Sequence, residues 1–207
     1  MNETDDEALI AALWRVVAAH GWAGLTMGRL AAESGMPMAD LRGRFPSRLD
    51  VLLLHGRLMD RAVLAGTIPG QGGAARDRLF DVLMRRLDAM QPHRAGLLRF
   101  LRDMRRDPGL AALLAPHLAL SMRWMLDAAE IEADAGLRRV LALGLAGVWL
   151  GTLRAWAEDD SEDLGHTMAA LDRLLDRAGQ IARSFRLVPR DEAGPAAAET
   201  ETETTGI

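Results

Sequence analysis

The chain has 207 residues, of which 49% are hydrophobic and 26% charged, a balance that excludes a disordered or fibrous polypeptide. It lacks cysteine, which excludes disulfide scaffolds, Cys-ligated zinc and thiol catalysis and fits a cytoplasmic protein. The formal net charge of −4 resides in residues 190–207, where five acids face one Arg; the remaining 24 Arg balance 24 acids, so nucleic-acid binding by bulk charge is excluded and any such contact must be local.

Ala and Leu supply most of the apolar mass and favour helices over strands. Met1–Glu7 is acidic rather than basic and so is not a signal peptide. Thr4-Asp5-Asp6-Glu7 predicts a capping box opening a first helix, with Leu9, Ile10, Leu13, Val16 and Val17 at helical spacing and His20-Gly21 as its stop. Thr26 is the expected N-cap of a short second helix that holds Leu30 and Ala31 and ends at Gly35. Pro37 suits the first turn of a third helix, which ends before Pro46. Ser47 caps a fourth that runs from Leu49 to Val63. Gly66–Gly73 is a flexible loop; no strand precedes it and no Lys-Ser/Thr follows, so it does not read as a phosphate cradle. Helical patterns then hold Leu79, Phe80, Leu83, Leu87 and Met90, followed by Leu97, Leu98, Leu101 and Met104. A helix from Pro108 to Asp127 follows, bent or interrupted at Pro116, and two more span 136–157 and 162–186, the last capped by Ser161. The apolar run from Val140 to Leu153, 14 residues long, is too short to span a bilayer, so no stable membrane insertion is expected. Residues 188–207 are acidic and low in complexity and read as disordered.

No strand or internal repeat is evident, so the fold class is all-α with about nine helices. The five His (20, 55, 93, 117, 166) are scattered, and neither HExxH nor GxSxG occurs, so no catalytic, metal or cofactor site is expected. The first three helices have a Gly-containing turn between the second and third, with Leu30, Leu41 and Phe45 as anchors; this describes a helix-turn-helix.

The residues His20-Gly21-Trp22, Leu25-Thr26, Leu30-Ala31, Ser34-Gly35-Met36, Leu41, Phe45-Pro46-Ser47-Arg48 and Leu52 resemble the N-terminal domain of TetR-family transcriptional regulators. The resemblance covers about 45 residues, from Ala11 to Leu54. It implies a helix-turn-helix domain over 1–47, a helical ligand-binding and dimerisation bundle over 48–187, and a homodimer on double-stranded operator DNA. The implied DNA-contacting residues are Thr26, Arg29, Pro37, Met38, Asp40, Arg42, Arg44 and Arg48. The sequence departs from the family at Arg42, where a Tyr is usual, and at Arg48, where a Lys is usual; Arg42, Arg44 and Arg48 can each still donate to phosphate. Asp40 would face an anionic groove. A second resemblance runs through His20-Gly21-Trp22, Asp160-Ser161-Glu162-Asp163-Leu164, Thr167 and Leu171-Asp172-Arg173. It is to a lipid-binding auxiliary protein of ubiquinone biosynthesis with the same fold and a degenerate helix-turn-helix. It implies a lipid or isoprenoid carrier.

The two C-terminal helices read as an assembly device. Gly144, Gly147 and Gly151 suggest close helix approach, with Leu171 and Leu175 as neighbours in the dimer interface. Phe100, Met104, Leu113, Leu118, Met122, Trp124, Met125 and Trp149 are the bulky candidates for a ligand pocket beside the Pro108–Asp127 helix. The scarcity of plausible buried polar groups predicts an apolar small molecule or lipid.

Overall fold

The computed structural model describes residues 3–70 and 72–184, and within them the chain is entirely helical; the expected acidic tail lies outside the described residues. The elements are α1 (Glu3–Gly24), α2 (Met27–Ser34), α3 (Met38–Arg44), α4 (Arg48–Ala65), α5 (Ala75–Met90), a 3-10 turn (Gln91–His93), α6 (Arg94–Met104), α7 (Pro108–Ala128), α8 (Ala135–Glu158) and α9 (Gly165–Ser184).

Local signals set most of the boundaries. Thr26 Oγ1 accepts from the Arg29 N–H at 3.2 Å, and Gly35 closes α2 in the left-handed region at φ 71°, where a side chain would be strained. Ser47 and Asp50 form a reciprocal capping box on α4: Ser47 Oγ accepts from the Leu49 N–H and Asp50 Oδ2 from the Ser47 N–H. Leu30, Leu41 and Phe45 are buried and join α2 and α3 to the apolar side of α1.

α1 is the spine of the N-terminal part. Leu9, Ile10, Leu13, Trp14, Val16 and Val17 are all buried, because α1 is covered by α2, by α4 and most extensively by α6. The approach of α6 is close: a methyl group at Gly96 would lie 2.4 Å from the Trp14 carbonyl oxygen. At Gly21 the backbone turns left-handed (φ 69°, ψ 173°) before a last helical turn to Gly24. The kink frees the Trp22 N–H, which donates to Asp103 Oδ2 of α6 at 2.8 Å. Phe100 of α6 packs edge-on against both Trp14 and Trp22, with ring centroids 5.8 and 5.2 Å apart. Behind this seam α4 packs on α5 and α7, α7 on α8, and α8 on α9, which returns to α5. There Arg76 Nε meets Asp176 Oδ1 at 2.8 Å and a second nitrogen pairs with Asp172.

Four sequence expectations are corrected. α1 is already helical at Glu3, so Thr4 is not its cap. Pro37 stands at the N-cap of α3 (φ −57°, ψ 143°) rather than inside its first turn. α7 runs unbroken through Pro116; Pro116 and Ala112, whose carbonyl loses its usual donor, are both exposed, and water can serve that carbonyl. Ser161 does not cap α9. The turn is wound instead around buried Asp159: one carboxylate oxygen accepts from the Ser161 N–H and hydroxyl, the other from the Thr167 N–H (2.8 Å) and hydroxyl (2.7 Å). These donors hold the Asp159 carboxyl well below the usual carboxylate range.

Candidate nucleic-acid interface

α3 is held between two local supports, the αL turn at Gly35 and the capping box at Ser47. Leu41 and Phe45 face inward and are buried, while Pro37, Met38, Ala39, Asp40, Arg42 and Gly43 are exposed. Thr26 and Arg29, at the start of α2, are exposed beside them; one Arg29 nitrogen donates to the Gly24 carbonyl at 2.5 Å.

The three arginines expected at phosphates have different surroundings. Arg42 is exposed and has no ion pair or hydrogen bond among the described residues. Arg44 is drawn back to α1, where it pairs with buried Asp6 and lies over the Phe45 ring, 5.1 Å from its centroid. Arg48 is half-buried; its Nη1 donates to the Trp22 and Leu25 carbonyls, each at 2.9 Å, and the guanidinium stacks over the Trp22 indole. A helix end leaves carbonyls without intrahelical donors, and Arg48 supplies one for the end of α1. Arg44, which remains exposed, and half-buried Arg48 thus tie the helix-turn-helix to α1. Neither partnership has a local sequence signal: Asp6 is 38 residues from Arg44, and the carbonyls are backbone groups.

The residues expected at a ligand pocket do not form one wall. Phe100 belongs to the α1–α6 seam. Met122, Met125 and Trp149 are buried in the packed core, Met104 and Leu118 are half-buried, and Leu113 and Trp124 are on the outer face of α7 at 51% and 49% exposure. α7 is therefore buried along one side only, not all round.

The core is also less uniformly apolar than the composition suggests. Arg86 of α5, 6% exposed, pairs with Asp60 of α4 at 2.5 Å. Asp60 Oδ1 also accepts from the Ser121 hydroxyl of α7 at 2.6 Å, and the Arg86 guanidinium lies 5.4 Å from the centre of the Trp149 ring. His55 is buried nearby, edge-on to Trp14 and His93; burial, with His93 and Arg86 as positive neighbours, pulls it down to about 3, so it is neutral at pH 7. The prediction that buried polar groups are scarce is thus corrected. A signal existed: Arg86 falls in register with Val82, Leu83, Leu87 and Met90, the buried stripe of α5. A cleft of about 660 Å³ lies between α1 and α4, where Ala8 and Ala11 face Leu58, Met59, Ala62 and Ala65 beside His93.

The glycine row of α8 divides. Gly151 faces α9, where a methyl group would sit 2.8 Å from Leu174 Cδ1, and Leu171 and Leu175 are buried inside the chain. These three serve packing within one protomer. Gly144 and Gly147 face outward with open space above them, beside exposed Val140, Leu143 and Leu150. α7 and α8 are each long and apolar enough to cross a membrane by length and composition, and each buries one side in the bundle.

No family model and no curated protein matches the sequence. Solved structures do. A TetR transcriptional regulator from Nitrosomonas europaea ATCC 19718 aligns over 86% of this chain and 99% of its own, with 18% identity and a TM-score of 0.68. A TetR transcriptional regulator from Rhodococcus sp. RHA1 aligns over 85% of this chain and 96% of its own, with 17% identity and a TM-score of 0.61. The chain therefore has the fold of TetR transcriptional regulators.

Proposed function

We propose that the protein is a ligand-responsive transcriptional regulator that acts in the cytoplasm and binds operator DNA as a homodimer. The observation that carries this reading is the intact presentation of α3: a capped α2, an αL turn, a recognition helix whose outer positions are all exposed, and a capped α4. A degenerate helix-turn-helix on a lipid carrier would have no use for these supports. The DNA-binding part comprises residues 1–47 and the ligand-binding and dimerising part residues 48–187. Two copies would join through the outward face of α8, where Gly144 and Gly147 allow close approach and Val140, Leu143 and Leu150 supply apolar area. The dimer would set two recognition helices in successive major grooves.

The ligand would have an apolar body and one polar group, in keeping with an Asp60–Arg86–Ser121 cluster that Met125 and Trp149 adjoin. By favouring one arrangement of the bundle it would shift the population that fits DNA, and the α1–α6 seam is the connection through which α3 would follow. The test is fluorescence anisotropy of the full-length protein on duplexes tiling the DNA upstream of its own coding sequence, at several salt concentrations. Salt-sensitive, sequence-dependent binding by a dimer is expected; no binding to any duplex at low salt would refute the reading. Because Arg44 is paired with Asp6 and Arg48 with backbone carbonyls, the salt dependence should be shallow beside that of a protein making many phosphate contacts.

A further inference from the structure

We propose that the cleft between α1 and α4 binds an uncharged small molecule with an apolar body and one hydroxyl or carbonyl group, and that its occupancy alters how α1 sits on α4. The site lies outside the bundle core; its effect on DNA rests on the DNA-binding reading above. α1 and α4 run antiparallel along one seam. At one step of it the Arg48 guanidinium covers Trp22, and at the next Trp14 meets His55 edge-on, with ring centroids 4.9 Å apart. At the third step alanines replace the large side chains: Ala8 and Ala11 of α1 stand opposite Leu58, Met59, Ala62 and Ala65 of α4. An alanine cannot reach across the gap that Trp14 and Trp22 fill, so the seam opens there into the cleft of about 660 Å³. That volume falls within the range of small-molecule pockets.

The lining selects against charge. Glu7 and Arg61 are its charged residues; both are exposed, and they are opposite in sign. His93 is held below its ordinary value by burial and by Arg15, so it is neutral at pH 7. The rest of the wall is Ala, Ile, Leu and Met. The inner end, by contrast, calls for a polar atom. Trp14 and His55 are 2% and 6% exposed, and neither Trp14 Nε1 nor His55 Nδ1 has a hydrogen-bond partner among the described residues. A buried polar group left unpaired costs stability. His93, which lines the cleft, is edge-on to His55 at 5.9 Å. An oxygen brought to this end would offer the acceptor that the Trp14 indole N–H lacks, and a hydroxyl can also donate to an imidazole nitrogen. A molecule seated there touches both α1, which carries α2 and α3, and α4, which enters the bundle.

The probe is 2-naphthol, an uncharged apolar molecule with one hydroxyl, and its charged counterpart is naphthalene-2-sulfonate. Both are measured by equilibrium dialysis on the full-length wild type, Ala11→Phe, Ala62→Phe and His93→Leu, each checked for helicity and thermal stability. The wild type should bind 2-naphthol saturably and prefer it to the sulfonate by more than about tenfold. Ala11→Phe and Ala62→Phe fill the cleft from opposite helices and should each weaken binding by more than about tenfold; Ala62 is exposed, so its variant should fold. His93→Leu keeps the apolar wall and should weaken binding by about fivefold. Saturating 2-naphthol should shift the operator affinity of the wild type by at least about fivefold and leave that of Ala62→Phe unmoved. Equal binding by the wild type and Ala62→Phe, equal binding of the sulfonate, or no saturable binding would each overturn the site. Binding as expected with an unmoved operator affinity would overturn its regulatory part. Binding as expected by a protein that holds no duplex would refute the DNA-binding reading and leave the site standing.

Discussion

Gly96→Ala adds a single methyl group where α6 crosses α1. That carbon would lie 2.4 Å from the Trp14 carbonyl oxygen and 2.9 Å from Trp14 Cβ, against a comfortable carbon–oxygen separation of roughly 3.3–3.6 Å. The obstacle is backbone and cannot swing aside, so α6 must retreat from α1 by about 1 Å. The retreat loosens the Phe100 contacts with Trp14 and Trp22 and stretches the hydrogen bond from the Trp22 N–H to Asp103. Overpacking of this kind costs about 1–3 kcal/mol, and weakening the aromatic contacts adds up to about 1 kcal/mol. Alanine returns about 1 kcal/mol through its better helix propensity. The net destabilisation is about 2 kcal/mol, a fall in Tm of about 4–8 °C for a chain of this size. Differential scanning calorimetry of the two proteins at equal concentration measures it. An unchanged or raised Tm would show that the seam is not packed as described. A further drop in operator affinity at a temperature where both proteins are folded is expected, because α1 carries α2 and α3.

Other perturbations give equally definite outcomes. Thr26→Ala removes the acceptor for the Arg29 N–H and should cost about 1 kcal/mol in urea unfolding, with no change in slope. Leu143→Glu places a charge on the open face of α8, where Leu143 is 57% exposed, and should convert the proposed dimer to monomer in sedimentation velocity; a dimer of unchanged mass would move the interface elsewhere. Asp159→Ala should lower the urea midpoint at pH 7. Because the folded carboxyl is held below its ordinary value of 3.8, its stabilising effect is fully present above that pH and is lost as pH falls through the folded value. The deficit of the variant should therefore narrow at pH 3, and a deficit equal at both pH values would refute the assignment.

What could be read from the sequence was local. Thr26, Gly35 and Ser47 act on backbone groups within three residues of themselves, so their type and position were enough to place α2, α3 and α4. The anchors Leu30, Leu41 and Phe45 were legible for the same reason, as spacings on single helices. The turn before α9 was misread because Ser161 is a cap type by its identity alone, whereas the organising role of Asp159 follows from its burial and its bonds to Ser161 and Thr167. Where a functional side chain answers to a distant partner, sequence spacing says nothing. Arg44 and Arg42 look equivalent until Asp6 is seen to claim one of them. Gly147 and Gly151 share a helical row, yet the space above one is open and that above the other is filled by Leu174 of α9. The buried charge of Arg86 was visible as a break in an apolar stripe, but the composition as a whole concealed it.

The binding of Trp22 to Asp103 has a consequence for how the N-terminal helices could be transplanted. The last turn of α1 donates a hydrogen bond to a residue 81 positions away, and the apolar side of α1 is roofed by α6, not by its neighbours in sequence alone. The smallest portable unit is thus discontinuous: it joins residues 3–47 to Arg94–Met104. A chimera that moved only the first segment onto a foreign body would strand Trp14 and Trp22 in water and leave a buried Gly96 with nothing to admit. One that exchanged both segments together would keep the joint, and with it the mechanical link between the bundle and α3.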